Sequence, residues 1–343
     1  MSIMKVLFLS ICFICVSCSA SKEVEHKTPK ISVMTVGNFE DKGFSEYALR
    51  GANKAGKELG IEVVPKESKT ETYLADLEAL KDNGSNFIWL LGYQLSAPSI
   101  TVALENPDIK YAIIDGVYDK SDSIPDNLVS VSFRFEEGAF LVGFIASRVS
   151  KTGKLGFIGA MSSEVIDSFR YGYEAGAKYA NKHININSDY VGSYNDAEAA
   201  KTMTNKMYND GIDIVLVVAG PSKLGVFEAA KERGEGYYAI GSNLGDFDVA
   251  PDNIIVCAIA SADKSIHFLT SNYFKKNIFE GGRIINYGLK EGFVEYIKNP
   301  KNLEIISLDL EKEVGNITEK IINGDIIVPA TEKDYHKYLV SMR

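Results

Sequence analysis

Short unbroken apolar runs alternate with longer stretches in which apolar residues recur at helical spacing. Residues 31–36 read as a strand, and residues 44–59 as a helix carrying Tyr47, Ala48, Gly51, Ala52 and Ala55 on one face. A strand over 61–64, a helix over 72–83, the wholly apolar run 87–91, a helix around 96–104 and a strand over 111–115 follow. The same order then restarts. Strands are predicted at 155–159, 189–192, 212–218, 237–241 and 254–257, with helices over 168–180, 197–209 and 224–231 between them. Continuous apolar strands separated by helices predict parallel sheets covered on both faces. The fold class is therefore α/β, with two doubly wound parallel-sheet lobes and a cleft between them at the carboxyl ends of the strands.

The polar stretch 147–153 is the expected first crossover, and a second is expected after Cys257. A helix over 262–275 should then return to the first lobe, while a helix over 311–323 and the run 326–328 finish the chain. This divides the chain into lobe 1 (31–147 plus about 260–290) and lobe 2 (148–259 plus about 291–343).

The front of the chain breaks the pattern. Lys5 precedes an apolar run over 6–16, which fits the ~7–15-residue core of a secretory signal and is too short to span a bilayer. It ends in Val16-Ser17-Cys18, similar to a lipobox, although Cys15 stands where Leu is usual. Residues 1–17 are expected to be a lipoprotein signal peptide, Cys18 the lipidated residue and 18–30 a charged tether. A plain secretory signal cleaved near Ser19 or Ala20 is the alternative. Either address exports the protein, and lipidation would hold it extracytoplasmically on a membrane, at its periplasmic face or on the outer surface.

Charge and composition narrow the partners. With 37 Lys and Arg against 46 Asp and Glu, the net charge is −9, so the chain offers no basic field for nucleic acid. A mean hydropathy of −0.05 leaves no room for several membrane spans. Once the signal is removed and Cys18 acylated, only Cys257 remains, so neither an internal disulfide nor a thiolate metal cluster is expected. The apolar neighbours of Cys257 mark it as a small hydrophobe in a buried strand.

No catalytic pattern emerges, and no metal or cofactor is expected. The run 51–57 has the G-x-x-x-x-G-K spacing of a phosphate loop, but Glu58 stands where Ser or Thr is required and the run lies inside a helical pattern. It reads as a small-residue packing face. No H-E-x-x-H or G-x-S-x-G occurs, and the histidines at 26, 183, 267 and 336 form no i, i+4 pair. The aromatic residues carry more information. Phe44 follows the first strand of one lobe and Phe169 the first strand of the other, each at a helix start. Rings so placed can hold a flat ligand between them by stacking; packing in the core or at a helix start is the competing reading.

The segments 40–44, 87–93, 112–115, 167–172, 175–179 and 286–292 together resemble the basic membrane protein family of spirochaetal lipoproteins, over about residues 31–329. The resemblance implies a type I periplasmic-binding-protein fold and kinship with purine-nucleoside-binding lipoproteins that serve ABC transporters. It places Phe44 and Phe169 on the stacking positions and Asp115 on a carboxylate that binds ligand. Ser45, Gly220 and Asn243 fall on further ligand-binding positions. The chain also departs from the family pattern. Val36, Asn243 and Gly245 replace carboxylates, Ala260 replaces a lysine, Ser45 replaces an Asn, and 219–223 rewrite a glycine-rich turn. Weaker nucleoside affinity than in fuller relatives is expected, since charge-assisted hydrogen bonds contribute roughly 1.5–3 kcal/mol each. The functions implied are a nucleoside-binding protein partnered with a transporter permease or, alternatively, a surface interaction protein that contacts host extracellular matrix.

Overall fold

The computed structural model describes residues 28–40, 43–119 and 121–342. The signal segment, Cys18 and most of the tether lie outside them. Lobe 1 begins with β1 (Lys30–Val36), α1 (Phe44–Leu59), β2 (Glu62–Ser68), α2 (Tyr73–Asp82), β3 (Phe87–Leu91), α3 (Ser96–Glu105), β4 (Lys110–Ile114) and β5 (Leu128–Phe133). Lobe 2 holds α4 (Phe135–Val149), β6 (Lys154–Gly159), α5 (Glu164–Ala180), β7 (Asn185–Tyr190), α6 (Ala197–Asn209), β8 (Ile214–Val218), α7 (Lys223–Arg233), β9 (Tyr238–Gly241), the single turn α8 (Asp246–Val249) and β10 (Ile254–Ala260). The chain returns to lobe 1 for α9 (Ala262–Lys276) and β11 (Arg283–Tyr287). It ends in lobe 2 with β12 (Val294–Lys298), α10 (Leu308–Ile322) and α11 (Glu332–Ser341).

Each lobe has a six-stranded sheet, ordered β11-β5-β4-β3-β1-β2 and β12-β10-β9-β8-β6-β7. All pairings are parallel except β10 with β12, which is antiparallel. The central strands are apolar without alternation because helices cover both faces, and all five residues of β3 are buried. Edge strand β7 instead alternates intermediate and exposed positions.

Three crossings join the lobes, at Arg134, at Ser261 and over 288–293. The first lies ahead of α4, not in the polar stretch 147–153, because α4 belongs to the core of lobe 2. It packs along α5 so closely that a Cβ at Gly143 would strike the Tyr173 backbone, and one at Gly176 the Phe140 carbonyl. Hydrogen bonds stitch the crossings together. The backbone N–H of Arg134 donates to Tyr287 (2.7 Å), that of Leu289 to the Glu137 carboxylate (2.7 Å) and that of Ser261 to Phe293 (2.8 Å). The Arg134 guanidinium also reaches the Asn286 carbonyl (2.6 Å) and the Glu291 carboxylate (2.5 Å).

Helix α9 returns to lobe 1 as the pattern predicts, where Thr270 accepts the indole N–H of buried Trp89 at 3.0 Å. Gly51 lies mid-helix in α1, against the Asp263 backbone, which accounts for the phosphate-loop spacing as helix packing. Residues 326–328 form neither helix nor strand, and α11 follows them. Strands β5, β11 and β12 and helices α4 and α11 lie where the sequence reading assigned no element.

Candidate functional site

The ends of β1, β4, β5, β8, β9 and β10 converge between the lobes, where the parallel topology leaves strand carboxyl ends and helix starts facing inward. A cavity of about 210 Å³ opens there, lined by Phe44, Asp115 and Phe133 from lobe 1 and by Phe135, Phe169, Val218, Gly220, Lys223 and Asn243 from lobe 2. Ala260 and Ala262 border it at the second crossing. A neighbouring cavity of about 240 Å³ shares Phe44, Asn243, Ala260 and Ala262 with it, and extends to Tyr47, Lys264 and Glu295. The first is small against the roughly 300–1,000 Å³ usual for ligand pockets. It suits a compact ligand in a closed cleft.

Five of the six residues anticipated for the ligand therefore line one cavity: Phe44, Asp115, Phe169, Gly220 and Asn243. Phe44 is half-buried at the start of α1 and packs on the lobe 1 core. Phe169 is 6% exposed, packs in the lobe 2 core and stacks on Phe135 at 4.8 Å between ring centroids. One ring thus comes from each lobe, and Phe135 backs the second. Ser45 lies outside the lining. It is buried, with its hydroxyl 3.0 Å from that of Thr35. Val36, one of the replaced carboxylate positions, packs against the lobe 1 core and is likewise not in the lining.

Asp115 follows β4 with a left-handed backbone, φ +60°. Asp tolerates this region better than most side chains. Its Oδ1 is buried without a hydrogen-bond partner among the described residues, and burial pushes the carboxyl up to about 7. An acceptor left in that state is costly. Gly220, at φ +54°, turns the chain from β8 toward α7 with Tyr194 packed behind it.

Lys223, Asp246, Phe135 and Tyr47 were not singled out from the sequence. Lys223 begins α7 and is 4% exposed, and its ammonium stands 2.6 Å from Oδ1 of Asp246, which is 1% exposed. Asp246 Oδ2 accepts the backbone N–H groups of Ser242 and Asn243, both at 3.0 Å. Across the cleft, Tyr47 of lobe 1 borders the neighbouring cavity together with Asn243 and Leu244 of lobe 2, and burial raises its pKa. A sequence signal for the ion pair existed: a lysine in a turn and an Asp closing a Gly-Ser-Asn-Leu-Gly-Asp run. Neither has a meaning until the two turns meet.

Residues 28–332 match the family model described as Bmp, ABC transporter substrate-binding protein PnrA-like. The chain belongs to this Bmp family. Basic membrane protein A2 of Borrelia garinii is 53% identical, covering 97% of this chain and 98% of its own length. Basic membrane protein A of Borreliella burgdorferi is 49% identical with 97% coverage of both, and basic membrane protein D of the same species is 40% identical with 98% of both. Among solved structures, an ABC transporter solute-binding protein of Aeropyrum pernix superposes with a TM-score of 0.79 and 27% identity, over 91% of this chain and 98% of its own. One from Conexibacter woesei, at 18% identity, shares the fold with a TM-score of 0.75. The Bmp family is one of extracytoplasmic substrate-binding proteins. Among the described residues, no helix is long and apolar enough to cross a membrane. As a Bmp protein, the chain is expected to present a small molecule to a transporter.

Proposed function

We propose that this Bmp protein binds a purine nucleoside or a similar flat heterocycle between its lobes and delivers it to an ABC transporter permease, anchored to the membrane through Cys18. The observation that supports this best is the cavity itself, in which Phe44 and Phe169 come from opposite lobes and the unpartnered Asp115 oxygen lies on the lobe 1 wall. Aromatic faces stack on any base, at about 1–3 kcal/mol each, and a buried acceptor suits the N–H and O–H groups of a nucleoside. Closure of the two lobes about the three crossings traps the ligand.

Native mass spectrometry of the freshly purified protein tests this, followed by calorimetry with inosine, guanosine and adenosine after unfolding and refolding have stripped any carried ligand. A co-purifying heterocycle, or saturable binding of a nucleoside, is expected, together with release of a Cys18→Ala chain from the membrane fraction. A well-folded, stripped protein that binds none of the three nucleosides sinks the nucleoside reading and favours a surface interaction protein that kept the fold.

A further inference from the structure

Lys223 is the one buried lysine among the described residues, and it borders the interlobe cavity. It is fixed at both ends. Its backbone follows a turn in which the Ser222 hydroxyl donates to the Ser193 carbonyl (3.1 Å) and accepts from the Asp196 N–H (2.7 Å). Its head group is held by Asp246, itself pinned by two backbone N–H groups of the β9–α8 turn. An ammonium carries three donors, and Asp246 is its recorded polar partner among the described residues, which leaves donors for a ligand. A buried ion pair adds little stability over an apolar pair of similar volume. Its position beside the cavity is better explained by what the cation does there.

We propose that Lys223, clamped by Asp246, reads the base edge of the ligand and selects 6-oxopurine nucleosides over 6-aminopurine ones. This rests on the nucleoside reading above. A 6-oxopurine presents two adjacent acceptors, O6 and N7, to a cation, whereas a 6-aminopurine places an amino donor beside N7 and turns it toward the ammonium. From the opposite lobe, Asp115 offers an unpartnered acceptor to the N1–H that only the 6-oxo base carries. Ala260 has no side-chain donor, so the cation in this cavity comes from the β8–α7 turn.

Calorimetry on the stripped protein compares inosine and adenosine, which differ at the purine 6-position and in the N1 proton. Inosine is expected to bind about tenfold tighter or better. In Lys223→Met/Asp246→Asn both charges leave together and neither is stranded; inosine affinity should fall about 10- to 100-fold while adenosine affinity hardly moves. Equal affinity of the unmodified protein for the two nucleosides overturns the assignment. An equal loss for both in a double variant with normal thermal unfolding also overturns it, by putting Lys223 on the shared sugar while the nucleoside reading survives. Should the double variant not fold, the inosine-to-adenosine ratio of the unmodified protein decides alone, and binding of neither nucleoside removes both readings.

Discussion

Asp115 combines a left-handed backbone with a carboxyl held up near 7 by burial, so the folded protein carries a local cost there. Between about pH 4 and 7 the folded state keeps a proton that the unfolded chain has released. Stability therefore falls as pH rises through that window, by roughly 2–4 kcal/mol in all. Asp115→Asn keeps a side chain suited to the backbone and cannot ionise. Its thermal midpoint should exceed that of the parent at pH 8 and match it near pH 4, with part of the slope remaining because burial also raises Glu136 to about 7. Calorimetric melts across pH check this, and a parent-like slope in the variant would assign the proton elsewhere. Phe44 and Phe169 were legible in the sequence because each follows a strand, and doubly wound topology brings strand ends together; Asp115 was marked only by the family resemblance. Lys223 and Asp246 were not legible, because the ion pair exists only where two turns distant in sequence converge.

At the scale of elements, several of the closest approaches among the described residues are backbone on backbone. Helices α4 and α5 approach so closely that a methyl group at Gly176 has no place to go against the Phe140 carbonyl. Gly176→Ala is expected to cost about 2–4 kcal/mol in urea unfolding, since the clash is with main chain and the helices must separate. Gly315, mid-way along α10 and exposed, has open space around it, and Gly315→Ala should stabilise by a few tenths to about 1 kcal/mol. A similar gain at the two sites would mean that helix propensity, not the close approach, governs α5. The alternation of apolar runs revealed β1, β3, β4, β6, β8, β9 and β10, which helices cover on both faces, and only parts of the edge strands β2 and β7. It missed α4, which is apolar on nearly every side and has no amphipathic stripe to read. It missed β11 and β12 because edge strands lack an unbroken apolar run. The first crossover was expected too late for the same reason: without α4, nothing marks Arg134 as the place where the chain changes lobes.

Across the whole molecule, the lobes are tied by Arg134 and its partners, and Tyr47 of lobe 1 borders a cavity with Asn243 and Leu244 of lobe 2. The motif 286–292, which carried part of the family resemblance, falls largely on the third crossing, so that part of the signal reports lobe connection rather than ligand chemistry. Cys257 gives this architecture an internal clock. It is the one cysteine among the described residues, lies on β10 with no exposure, and its thiol is pushed well above the ordinary range by burial. A thiol reagent reaches it only through opening of lobe 2, so the labelling rate counts openings with no engineered cysteine. If a ligand must leave before β10 is uncovered, a concentration one hundred times Kd should slow labelling about a hundredfold, equivalent to about 2.7 kcal/mol of added protection. A rate indifferent to ligand would mean that lobe 2 breathes while the cleft stays shut, and would separate holding the ligand from holding the fold.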